Sequence, residues 1–86
     1  MYNVLVIYKG GPNWTLDDEL AQVARVKSVG SGYDFNDRER DVQFVTDRKS
    51  TAINVVKRLR ATIKKAHVRG RVVAYKGKEF KKVRLY

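Results

Sequence analysis

Residues 2–8 read Tyr-Asn-Val-Leu-Val-Ile-Tyr, a near-continuous apolar and β-branched run that stops at Lys9-Gly10-Gly11-Pro12. The run is far shorter than the roughly 20 residues a membrane-spanning helix needs. Dense in Val and Ile and bounded by turn formers, it fits a buried strand near the centre of a sheet. Whatever else the chain does, it must pack helices or strands around this segment.

The rest of the chain supplies the partners. Residues 10–14 form a loop, after which Thr15 reads as a helix N-cap with Asp18 three residues on. Asp17, Asp18 and Glu19 then fall in the first turn, where the helix dipole favours anions. Leu16, Leu20, Val23 and Ala24 make one apolar face of a helix ending near Arg25. Residues 26–29 are extended, and Gly30-Ser31-Gly32 allows a bulge or bend. Tyr33 and Phe35 alternate with Asp34, residues 36–39 are turn-like, and Val42 and Phe44 alternate with Gln43. This predicts a hairpin with Tyr33, Phe35, Val42 and Phe44 toward the core. Asp47 or Ser50 starts a second helix, in which Ala52, Val55, Val56, Leu59, Ile63 and Ala66 keep helical spacing, and Gly70 is its expected stop. Residues 71–75 read as a strand and 76–78 as a turn. Residues 80–86 alternate again, as a short lysine-rich edge strand would.

The order is β-α-β-β-α-β, with one more strand at the end. That predicts a single α+β domain of the ferredoxin-like, split β-α-β kind: an antiparallel sheet with both helices on one face. The fold hosts many functions and supplies none by itself. Its uncovered face would hold Leu5, Ile7 and Val45 beside Gln43, apolar enough to suggest a homodimer through the sheet.

Charge divides the chain. Residues 1–43 carry five Lys or Arg against seven acids, while residues 44–86 carry fourteen against Asp47 and Glu79, within an overall net charge of +10. Such asymmetry favours a polyanion or an acidic protein as partner. The basic side chains lie on the second helix (Lys57, Arg58, Arg60, Lys64, Lys65), just after it (Arg69, Arg71) and in the C-terminal hairpin (Lys76, Lys78, Lys81, Lys82, Arg84). Clustered at a surface they would gain affinity for phosphates through counterion release. Tyr75, Phe80 and Tyr86 lie among these lysines, where rings stack unpaired bases, although Tyr75 and Phe80 also suit a cross-strand pair. Trp14 either packs under its loop or stands exposed as an anchor for a partner.

Other chemistries find little support. With no cysteine and one histidine, His67, a transition-metal site is not expected, nor is a cofactor. The absence of cysteine suits a reducing compartment. The first residues lack the layout of a secretion signal, so a soluble cytoplasmic protein with no membrane partner is expected. The Gly10-Gly11 loop lacks the lysine and spacing of a phosphate-binding P-loop, and no serine sits in a nucleophile elbow. Asp34, Asp37, Glu39 and Asp41 interleave with Arg38 and Arg40, which suggests ion pairs across the hairpin or an acidic docking surface rather than a Mg²⁺ site.

The segment Arg40-Asp41-Val42-Gln43-Phe44-Val45 is similar to the third-strand pattern of the RNA-recognition motif in its Arg, its second aromatic and its Val. It departs at Asp41 and Gln43, where that pattern has small residues, and at Val42, where it has a stacking ring. The basic helix and C-terminal hairpin are therefore the expected platform. The resulting expectation is a non-enzymatic nucleic-acid-binding protein, DNA or RNA, with low sequence specificity. The alternative is an adaptor or inhibitor that docks its basic face on an acidic surface, such as the nucleic-acid channel of a larger enzyme.

Overall fold

A computed structural model describes residues 1–11 and 13–77, and the backbone of 83–84. The elements are β1 (Tyr2–Lys9), α1 (Trp14–Ala24), β2 (Lys27–Asp34), β3 (Glu39–Thr46), α2 (Lys49–Lys65), β4 (Gly70–Lys76) and a short β5 (Val83–Arg84). They form one antiparallel sheet in the order β2-β3-β1-β4-β5. This is the ferredoxin-like arrangement with an added edge strand. No helix among the described residues is long and apolar enough to cross a membrane.

The run at 2–8 is central, paired with β3 on one side and β4 on the other. Val4, Val6 and Tyr8 point toward the helices, in register with Phe44, Val42 and Arg40 of β3 and with Ala74, Val72 and Gly70 of β4. Leu16, Leu20 and Ala24 of α1 and Ala52, Val55, Val56, Leu59 and Ile63 of α2 close over them, and all are buried. Leu5, Ile7, Gln43 and Val45 stand half-buried on the opposite face, as the period-2 alternation requires. Buried Asn3 also faces that side, donating to the Gly77 carbonyl (2.7 Å) and accepting from Gln43 Nε2 (3.0 Å).

Several local expectations are corrected. Asn13, not Thr15, caps α1: its backbone is extended and its Oδ1 accepts from the Leu16 N–H (3.0 Å). Only Asp17 of the three acids then lies in the first turn. Neither Asp47 nor Ser50 starts α2. Its N-cap is Arg48, extended and without a side-chain cap bond, because β3 runs on to Thr46 and leaves only a short bend before the helix. The helix also stops before Gly70. His67 takes a left-handed backbone (φ 55°), its N–H donating to the Lys64 carbonyl (3.1 Å) and that of Val68 to Ile63 (3.4 Å). This is a Schellman closure, and Ile63 and Val68 line one pocket, as the hydrophobic contact of that motif requires.

Phe35 is not a core residue. Asp34 Oδ1 accepts from the N–H groups of Asn36 (2.9 Å) and Asp37 (3.3 Å), an Asx turn that ends β2 and lifts Phe35 out, 84% exposed. Tyr33 stays on the helix side, half-buried, paired with Arg40. The bulge expected of the glycines falls between Ser28 and Gly30.

Gly70 instead permits the close approach of β4 to β1. A Cβ there would lie 2.7 Å from the Ile7 carbonyl oxygen and 3.0 Å from Tyr8 Cβ. Gly70→Ala is expected to lower stability in urea unfolding by about 1–3 kcal/mol. Gly30→Ala, which meets nothing within 4 Å, should change it by less than about 1 kcal/mol.

Candidate nucleic-acid interface

Successive residues of an α-helix turn by about 100°, so Arg58 and Arg60 fall about 200° apart, on opposite flanks of the buried stripe of α2. Each reaches the element beside it. Arg58 donates from Nε to the Val23 carbonyl (2.9 Å) and from Nη2 to that of Ala24 (3.0 Å). These are carbonyls that the last turn of α1 leaves without helical partners. Arg60 donates to the Val72 carbonyl from Nη2 (3.0 Å) and Nε (3.3 Å). That carbonyl lies on the outer edge of β4: Arg69 and Gly77 bond inward to Lys9 and Met1, so the even-numbered positions of β4 point outward.

Between these arginines, Lys57 and Lys64 crown the outer face of α2, with Lys65 beside them, and all are exposed. Arg69, Arg71 and Lys76 are exposed on or before β4. Between described residues the one ion pair is elsewhere, Arg40 with Asp17. Lys57, Lys64 and Lys65 thus form a basic face on α2 with no acid set against it among the described residues, while Arg71, in register with Ile7, stands on the open face of the sheet. Lys64 and Arg71 also share the rim of a shallow pocket of about 260 Å³ between α2 and β4. Lys78, Phe80, Lys81, Lys82, Tyr86 and the side chain of Arg84 lie outside the described residues. The backbone of Arg84 pairs with Tyr75, which is half-buried on the open sheet face opposite Asn3.

The hairpin acids do not pair with Arg40 as expected. Its Nη2 and Nε reach across to Asp17 Oδ2 (2.8 and 3.1 Å), both side chains being almost buried. The strand alternation points Arg40 toward α1, while Asp41 faces the other way. The other carboxylate oxygen of Asp17 accepts from the Tyr8 hydroxyl (2.5 Å), which itself accepts from the Asn13 N–H (3.2 Å). Burial, then the hydrogen bond to the Asp17 carboxylate, pushes the Tyr8 hydroxyl up from its ordinary 10.0 to about 12. Trp14 does not pack under the loop. It is 67% exposed, with the Arg40 guanidinium 5.2 Å from its ring centroid.

No family model, curated protein or solved structure matches the chain. The segment similar to the RNA-recognition motif does not form that platform here. Phe44 is fully buried and Arg40 is held by Asp17, so the strand offers Asp41, Gln43 and Val45 to the open face, none of them a stacking ring. Among the described residues, no three His, Asp or Glu side chains gather as a metal site would need.

The network gives a pH-dependent expectation. A raised hydroxyl pKa contributes stability that is full below the unfolded value near 10 and disappears as pH rises through about 12. Tyr8→Phe should therefore cost about 1.5–3 kcal/mol at neutral pH. Its deficit against the wild type should close as urea unfolding is repeated from pH 10 toward 12.

Proposed function

We propose that this protein binds nucleic acid without catalysing a reaction. Lys57, Lys64 and Lys65 of α2 hold phosphates together with Arg69, Arg71 and Lys76, and Lys78, Lys81, Lys82 and Arg84 add to the positive charge of this half of the chain. The observation that carries this reading is that the exposed lysines of α2 have no acidic partner among the described residues, in a chain of net charge +10. A cationic surface left uncompensated repels itself in the free protein, and a polyanion relieves that repulsion while releasing counterions. Arg58 and Arg60 act mainly as braces for α1 and β4, so the lysines carry the affinity. Contacts of this kind position a ligand without reading bases, which gives low sequence specificity. We place the protein in the cytoplasm, where a chain without cysteine meets no conflict with a reducing environment.

A second reading, an adaptor or inhibitor docked on an acidic protein surface, draws support from the exposure of Trp14, a residue type enriched at interface hot spots. Nuclease treatment of a pull-down separates the two: partners that vanish with the nucleic acid belong to the first, partners that persist to the second.

The triple variant Lys57→Ala/Lys64→Ala/Lys65→Ala should bind short oligonucleotides more weakly in fluorescence anisotropy. The slope of log K against log salt should fall by about 2–3. Reversing the same three charges to Glu should abolish binding at physiological salt, and retained affinity there would overturn the proposal.

A further inference from the structure

The last residues of β1 anchor the neighbouring connections. The Lys9 N–H donates to the Arg69 carbonyl (2.8 Å), in the link from α2 to β4. The Gly10 N–H donates to the Arg38 carbonyl (3.1 Å), in the turn from β2 to β3. One end of the sheet therefore brings together Lys9, Arg38 and Arg69, all exposed. Two large rings stand at the same end. Trp14 opens α1 directly after the loop that follows β1, and Phe35 sits in the β2–β3 turn; they are 67% and 84% exposed.

The two rings belong to one connected surface. Trp14 lies over the Arg40 guanidinium, and Arg40 is the register partner of Tyr33. Tyr33 meets Phe35 edge-on, with ring centroids 4.9 Å apart and planes at 88°. The Tyr33 hydroxyl comes within 3.5 Å of the position a Cβ of Gly11 would take, closing the gap to the loop. Arg40 is fixed from below by Asp17, so Trp14 rests on a support that is already ordered.

We infer that this end of the sheet is a stacking platform for unpaired bases, with Trp14 and Phe35 as its rings and Lys9, Arg38 and Arg69 as its phosphate contacts, so that the ligand is single-stranded nucleic acid. The inference rests on the nucleic-acid reading above and names its strandedness. Exposed aromatic rings interleaved with cations are what single-strand binding uses, because every base offers a face to stack and the backbone follows the charges. A duplex keeps its base faces inside its own stack and gains only the phosphate contacts. The same turn carries the acids Asp34 and Asp37, both exposed, and Glu39 lies opposite Lys9; the Asp34 carboxylate is engaged by the N–H groups of Asn36 and Asp37, so the rings rather than the net charge carry the preference. The rings also need little ordering on binding, since Trp14 is seated on Arg40 and Phe35 on Tyr33.

Trp14 is the only tryptophan, so its emission reports directly on this surface. The protein is titrated at physiological salt with a short oligothymidine, a short oligouridine and a duplex of equal phosphate count. Saturable quenching by the single strands and none by the duplex is the expected result. Trp14→Leu and Phe35→Ser should each weaken single-strand binding in anisotropy by about tenfold and leave duplex binding unchanged. Lys64→Ala/Lys65→Ala should weaken both. Phe35→Ser alters a side chain outside the core, which keeps the test informative if Trp14→Leu loosens Arg40. Single-strand binding that neither quenches Trp14 nor weakens in Phe35→Ser would overturn the platform and leave the nucleic-acid reading standing. No binding of any form would overturn both, and a nuclease-resistant protein partner lost in Trp14→Leu would give the surface to the second reading.

Discussion

One carboxylate holds the two layers together at the end of the sheet where β1 finishes. Asp17 sits almost buried on the first turn of α1, with the Tyr8 hydroxyl on one oxygen and the Arg40 fork on the other. A charge in that position costs several kcal/mol of lost hydration unless donors replace the water, and here strands on both sides of the central pairing provide them. The same hydroxyl receives the N–H of the residue that caps the helix. Helix start, central strand and neighbouring strand are thus fixed by one set of bonds, and they behave as a unit rather than as separate contacts. Trp14 takes its place beside this unit through its contact with Arg40.

Three arginines are set apart from the other cations by what they reach. Arg40, Arg58 and Arg60 have planar guanidinium forks, and each is aimed at fixed oxygens of a neighbouring element: a carboxylate, the last carbonyls of α1, the edge carbonyl of β4. Lysines make poor braces of this kind, being compact, strongly hydrated charges on flexible stems. Lys57, Lys64 and Lys65 accordingly remain on the outer face of α2. These three arginines hold the frame, and the lysines of α2 together with the exposed Arg38, Arg69 and Arg71 supply the positive field.

The architecture was legible because its signals are periodic. The unbroken run in β1, the alternation at Val42 and Phe44 and the helical spacing from Ala52 to Ile63 each specify an element and its buried side. What escaped was set by single atoms. Asn13 outcompetes Thr15 as a cap because its N–H also meets Tyr8, a residue remote in role though near in sequence. His67 ends α2 in a conformation usually left to glycine, while Gly70, the obvious terminator, is needed for the contact between β4 and β1. Phe35 continues a perfect alternation with Tyr33, and only the Asx turn at Asp34 takes it out of the strand. The same holds for the cations: counting charges located the basic half of the chain, but nothing in the local pattern separates Arg58 and Arg60, which bind carbonyls, from Lys57 and Lys64, which do not. The partner of Arg40 is 23 residues away, beyond any local rule.

The hold of Arg60 on Val72 bears on how copies of the protein tolerate one another. Among the described residues β5 pairs with β4 at Tyr75 and Lys76, and the outward carbonyl of Val72 is met by Arg60. Bare strand edges join edge to edge when molecules crowd. A strongly cationic chain is drawn into such crowding wherever negative charge accumulates. By placing a guanidinium across the edge carbonyl, the fold sets a bulky positive group where a neighbour's strand would have to lie, and two such edges repel before they can zip together. The residue that braces the sheet from α2 is in this sense also a positive guard at that stretch of β4.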